Sequence, residues 1–69
     1  MNIKSVIGVN IRRFRHEMEW TQEKLAVRLR ITNDHICRLE KGTEYPSIRL
    51  LEKMAKLMNR KIFEFFIEH

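Results

Sequence analysis

Thr32, Asn33 and Asp34, followed one helical turn later by Cys37 and Arg38, place hydrogen-bonding groups at a spacing that one helix face can present together. A planar carboxamide such as Asn33 can make a bidentate pair with N6 and N7 of adenine. The Arg38 guanidinium can grip O6 and N7 of guanine, or a phosphate, and the Asp34 carboxylate can accept from N4 of cytosine. Asp34 has a second reading of equal weight, because an acid in a first turn stabilises the helix dipole with or without a ligand and is repelled by phosphates. Cys37 is a small, weakly polar side chain that can touch a thymine methyl, and redox chemistry would require a lowered thiol pKa. Catalytic chemistry is not legible. The sequence has no nucleophile with a base at motif spacing and no glycine-rich phosphate loop, and Cys37 with His16, His35 and His69 shows no metal-ligand spacing. No cofactor, metal or catalytic residue is expected, and the chain is not expected to be an enzyme.

These side chains need a frame, and residues 21–41 read as two short helices meeting at a bend between Leu29 and Thr32. Leu25, Ala26 and Leu29 line one face of the first, and Ile31, Ile36 and Leu39 continue the stripe through the bend and the second. Thr21 and Thr32 stand where N-caps are required. Helices of about two turns cannot stand alone, so both must bury these stripes against neighbours. Upstream, Ile3, Ile7, Ile11, Phe14 and Met18 recur at steps of four, four, three and four and predict an amphipathic helix from about residue 3 to 18, with Arg12 and Arg13 on its polar side. Downstream, Gly42 caps the second short helix and Ser47 opens another, whose inner face is expected to hold Ile48, Leu51, Ala55 and Met58, supplemented by Leu50, Met54 and Leu57. Five of the six residues from Ile62 to Ile67 are apolar, more than one helix face can bury.

Thr21-Gln22, Leu25-Ala26, Ile31, Ile36 and Leu39-Glu40-Lys41-Gly42 together resemble the helix-turn-helix of the lambda-repressor-like (Cro/cI, or XRE) DNA-binding family. The resemblance extends to Ile7-Gly8, Ile11 and Arg15 on one side and to Pro46-Ser47, Leu50, Leu51 and Ala55 on the other, covering nearly the whole chain. It implies an all-α, compact five-helix fold with the helix-turn-helix at about 21–41, and residues 1–69 as a single DNA-binding domain. It makes helix 32–41 the reader of base edges in the major groove, with Thr32, Asn33, Asp34, Cys37 and Arg38 as base-reading residues. It assigns phosphate binding to Thr21 and Gln22 at the N-terminus of the preceding helix and to Lys41 and Thr43 just beyond the reader. It also suggests that Arg15 pairs with Glu40, the alternative being two solvated charges. Arg12, Arg13 and Arg30 are further phosphate candidates on charge alone.

Two departures from the family pattern bear on geometry. Glu19 and Arg30 stand where the family commonly has glycine, so a left-handed backbone at either would cost about 1 kcal/mol. Trp20, apolar in the family, is expected to be a buried indole joining the first helix to the second in preference to a base-stacking residue. His35 can donate to phosphate when protonated or cover the seam between helices, and both readings stay open.

Composition sets the class. Of 69 residues 43% are hydrophobic and 33% charged, and only two glycines and one proline interrupt the chain, which suits a small helical domain. Fourteen Lys and Arg against nine Asp and Glu give a net charge of +5, which would attract a polyanion if the charges are unevenly placed. A lone cysteine fits a reducing compartment, and no apolar run approaches a membrane span. Together with the family resemblance, which implies it, the expectation is a cytoplasmic, nucleoid-associated regulator of transcription, a dimeric repressor on a (pseudo)palindromic double-stranded DNA operator, with no membrane association and no small-molecule effector. Phe63, Phe66 and Ile67, with part of the fourth helix, are the expected homodimer interface, against the alternative that they pack into the monomer core. A protein-interaction adaptor on the same fold, serving as antitoxin, coactivator or anti-regulator, is the rival function.

Overall fold

The structure, a computed structural model, describes residues 2–69. Four α-helices, α1 (Ile3–Glu17), α2 (Gln22–Leu29), α3 (Asn33–Glu40) and α4 (Ile48–Leu57), are followed by a 3₁₀ helix, Ile62–Phe66. The expected fifth helix is thus a five-residue 3₁₀ turn. Each α-helix starts from a side chain that accepts a first-turn N–H. Asn2 accepts from Ser5 at 2.9 Å, and Thr21, Thr32 and Ser47 accept from Lys24, His35 and Leu50, each at 3.0 Å.

The helix ends share one device. Glu19, Arg30, Gly42 and Asn59 adopt left-handed φ of 60°, 60°, 75° and 55°. The N–H of the next residue in each case reaches back five residues: Trp20 to Arg15 O, Ile31 to Ala26 O, Thr43 to Arg38 O and Arg60 to Ala55 O. This is the Schellman closure, and here it is built mostly without glycine. The backbone is therefore retained at Glu19 and Arg30 despite the missing glycines.

The core gathers Ile7, Ile11 and Phe14 of α1, Leu25, Ala26 and Leu29 of α2, Ile36 and Leu39 of α3, Leu50, Leu51, Met54 and Ala55 of α4, then Met58 and Phe65. Trp20, Ile31, Leu57 and Ile62 pack against its edge. α1 runs across α3 and the 3₁₀ helix, and only its central turns are covered, so Ile3 and Met18 at its two ends stay largely exposed. Ile48 is a correction to the expected inner face of α4. It is 64% exposed, because the first turn after Pro46 lies at the rim while the stripe from Leu50 onward turns inward. Phe65 is fully buried and meets the Phe14 ring edge-on, with centroids 5.1 Å apart and planes at 77°. Beside it, buried Asn10 donates through Nδ2 to the carbonyls of Phe65 and Ile67, each at 2.9 Å, and so fastens the C-terminal segment to α1.

Two contacts fix α3 in place. A Cβ on Gly8 would lie 2.5 Å from Leu39 O and 2.7 Å from Glu40 O, so only a glycine allows α1 to approach the end of α3 this closely. Next to it Arg15 donates through Nε and Nη2 to the Glu40 carboxylate at 2.7 and 3.1 Å, and through Nη1 to Trp20 O at 2.7 Å. The pair sits inside the protein, with side chains 8% and 4% exposed.

Candidate nucleic-acid interface

α3 divides cleanly by side. Ile36 and Leu39 face the core, whereas Thr32, Asn33, Asp34 and Arg38 lie on the outside, with Cys37 half-buried at the margin. This follows from the helical period, since 33, 34, 37 and 38 share a face that 36 and 39 do not. The base-reading residues expected from sequence are thus brought together on one exposed helix face.

Their states differ. No described residue engages the Asn33 carboxamide, which leaves its donor and acceptor edge free. Thr32 uses its Oγ1 as an acceptor for the His35 N–H and keeps its hydroxyl proton. Arg38 is held: Nη1 donates to Asp34 Oδ2, one turn back, and Nε donates to Glu44 Oε1 at 2.7 Å. The Glu44 hydrogen bond, reinforced by the Asp34 charge, raises the Arg38 pKa above its ordinary value, and the same bond holds the Glu44 carboxyl below the usual carboxylate range. The other Glu44 oxygen stands 3.9 Å from His35 Nε2, so the loop beyond α3 reaches back to a side chain of its first turn. Glu44 is a member of this cluster that sequence reasoning missed. It comes from beyond Gly42, outside the helical period, and no local spacing signals it.

The expected phosphate contacts separate into kinds. Thr21 keeps its hydroxyl proton while its oxygen caps α2. Gln22 turns one amide N–H inward to Glu40 Oε1 at 2.9 Å, completing the buried Arg15–Glu40 pair, so its side chain carries a structural bond beside any phosphate contact. Thr43 is engaged within the protein: its hydroxyl donates to Arg38 O at 2.9 Å and its N–H to the same carbonyl at 3.2 Å. Lys41 is exposed at the end of α3. It shares the rim of a cleft with Arg12, and Arg15, Gln22, Cys37 and Glu40 complete the lining. Arg12 is therefore on the α3 side of the molecule. Arg13 instead pairs with Glu17 at 3.6 Å, and Arg30 lines a separate hollow with His35, Ser47, Arg49 and Lys53.

Trp20 is half-buried against the core, and its ring is covered by Arg28 at 4.9 Å and Lys24 at 5.8 Å from the centroid. Phe63, Phe66 and Ile67, in and after the 3₁₀ helix, are 61%, 40% and 43% exposed, and Val9 of α1, beside Ile67, is also exposed. Among the described residues no group of three His, Cys, Asp or Glu side chains is placed to hold a metal ion, and no helix is long and apolar enough to cross a membrane.

Residues 11–65 match the helix-turn-helix family. A relative from Archaeoglobus fulgidus named as an uncharacterized HTH-type transcriptional regulator is 42% identical over 57 residues, 83% of this chain and 80% of its own. A second of the same description, from Methanothermobacter thermautotrophicus, is 41% identical over 54 residues, 78% of each chain. Two crystal structures share the fold. The clp gene regulator ClgR from C. glutamicum superposes with a TM-score of 0.85 at 22% identity, over 94% of this chain and 84% of its own. A hypothetical transcription factor, NHTF, from Neisseria gives 0.87 at 23% identity, over 96% and 76%.

Proposed function

The chain belongs to the helix-turn-helix family, and from that premise we propose that it is a DNA-binding transcription regulator that reads base edges in the major groove with the outer face of α3. The observation that carries this reading is the exposed Asn33 carboxamide, unengaged at the first turn of α3 beside Thr32, Asp34 and Arg38. Lys41, Arg12, Thr21 and the free backbone N–H groups opening α2 supply phosphate contacts, which set register without carrying sequence information.

The protein acts as a two-fold dimer, because one module covers too few base pairs for useful specificity. Phe63, Phe66 and Ile67 form the interface, and the operator is (pseudo)palindromic with half-sites about one helical turn, ~34 Å, apart. The exposed apolar edge supports this pairing. Repression follows from occupancy of the operator in the cytoplasm, governed by protein concentration and dimerisation with no effector molecule.

Selection from a random DNA duplex pool, followed by salt titration of the winner beside scrambled DNA, tests the proposal for wild type and Asn33→Ala. A symmetric motif is expected, with an affinity that falls steeply with salt and that Asn33→Ala weakens by about 1–3 kcal/mol. Enrichment of no motif, with equal weak binding to both DNAs, would sink the proposal. The exposed Phe63 and Phe66 would then favour the adaptor reading, in which the same apolar edge binds a protein partner.

A further inference from the structure

Glu44 holds Arg38 from outside the helix, and the loop that carries it is itself built onto Arg38. After Gly42 turns the chain at φ 75°, Thr43 donates both its N–H and its hydroxyl to the Arg38 carbonyl, at 3.2 and 2.9 Å. Glu44 then accepts from the Arg38 Nε at 2.7 Å. Two consecutive loop residues thus fix the backbone and the side chain of one arginine. An Asp34–Arg38 contact follows from i, i+4 spacing on any helix, but the Glu44 contact requires this loop conformation.

The geometry leaves Arg38 partly open. Of the five guanidinium N–H groups, Nε–H goes to Glu44 and one on Nη1 goes to Asp34. The Nη2 protons and the second Nη1 proton remain as donors, enough in number for O6 and N7 of guanine. Charge argues against a phosphate for this arginine. With two carboxylates to one guanidinium the cluster is negative, and a phosphate approaching Arg38 would also approach Asp34 and Glu44.

We propose that Glu44 is a specificity-determining positioning residue: it holds the Arg38 guanidinium with its outer fork directed to a guanine in the operator half-site. This rests on the proposed reading of DNA by α3. Fixing the side chain before binding removes rotamer freedom that an exposed arginine would otherwise lose on contact, and it favours one base geometry over non-specific phosphate contacts. Glu44 acts through Arg38 and need not touch DNA.

The test compares wild type, Arg38→Ala, Glu44→Ala and Glu44→Gln on the selected operator and on duplexes in which each guanine in turn is replaced. Glu44→Gln removes the charge but keeps an oxygen able to accept from Nε, so the two Glu44 variants separate positioning from electrostatics. At the guanine whose preference Arg38→Ala abolishes, Glu44→Ala should lower discrimination about tenfold while Glu44→Gln recovers most of it. Wild-type discrimination in Glu44→Ala, or an equal gain of affinity on every duplex in both Glu44 variants, would overturn the inference and leave a simple charge effect. An Arg38→Ala protein with the wild-type preference at every position would instead overturn the reading beneath it, and this inference with it. Circular dichroism of each variant checks that the loop substitution leaves the fold intact.

Discussion

Two arginines sit on either side of α3, both paired with carboxylates, and their settings are opposite. Arg15 lies inside the protein with all three guanidinium nitrogens engaged, two on Glu40 and one on the Trp20 carbonyl, and Gln22 completes the Glu40 shell. Arg38 lies outside, 47% exposed at its side chain, with Nε and Nη1 engaged and the outer fork left over. The first cluster is closed and ties α1, α2 and α3 together. The second is open and leaves donors for something that is not protein. Salt bridges of the same chemistry thus fix position in one case and, on the proposed reading, serve recognition in the other, and burial separates them.

The sharpest way to break this contrast is to remove one carboxylate from each cluster. Glu40→Ala should lower stability by about 3–5 kcal/mol, because it leaves the Arg15 charge buried without its partner. A loss under about 1 kcal/mol in denaturant titration would put this pair in the class of surface bridges. Gly8→Ala tests the same region without touching a charge. Its methyl must push back the carbonyls of Leu39 and Glu40, backbone atoms that cannot rotate away, so a loss of about 1–3 kcal/mol is expected, measured by thermal unfolding. Arg38→Ala and Glu44→Ala are the counterpart: their melting temperatures should fall only slightly, as for an exposed ion pair, while DNA discrimination falls. A clear drop in melting temperature for either would make the outer cluster structural after all.

Acid should have the smallest effect. Glu44 and Glu64 are held below their ordinary pKa, Glu44 by the Arg38 hydrogen bond and Glu64 chiefly by the Lys61 N–H, with Arg60 adding to it. A carboxyl whose folded pKa is depressed contributes stability above its unfolded pKa and loses it as pH falls through the folded one. The contribution of both groups should therefore be present at neutral pH and fade only as the pH falls below the ordinary glutamate range. Carboxyl carbon shifts followed by NMR would show it, and a Glu44 midpoint at or above the ordinary glutamate value would contradict the Arg38 bond.

What the sequence disclosed of this arrangement was whatever is local. Thr21, Thr32 and Ser47 announce their helices because an N-cap acts within three residues, and Leu25, Leu29, Ile36 and Leu39 keep the helical period that turns α3 outward at Asn33 and Arg38. Arg15 and Glu40 were paired only through the family resemblance, since no spacing connects residues so far apart in the chain. The failures lie where tertiary geometry overrides pattern. Ile48 fits the period of α4 yet starts beyond the covered surface, and the fold of the 43–44 loop back onto Arg38 had no local signal. Asn10 carried no signal, because a single amide on the apolar side of α1 finds its partners only after the C-terminal segment has docked.

That docking has a consequence for how the chain acquires its structure during synthesis. Phe65 fills the core against Phe14, and Asn10 has its carbonyl partners at residues 65 and 67, so contacts at the beginning of the fold wait for residues near its end. While the ribosome still holds residues 65–67, α1 has an uncovered aromatic face and an amide without its partners, and both oppose stable packing. The helix-turn-helix can form its local turns early, but the finished fold is reached only after the 3₁₀ segment has left the exit tunnel. A nascent chain stalled before that point should remain open to protease, whereas one extended past it should resist.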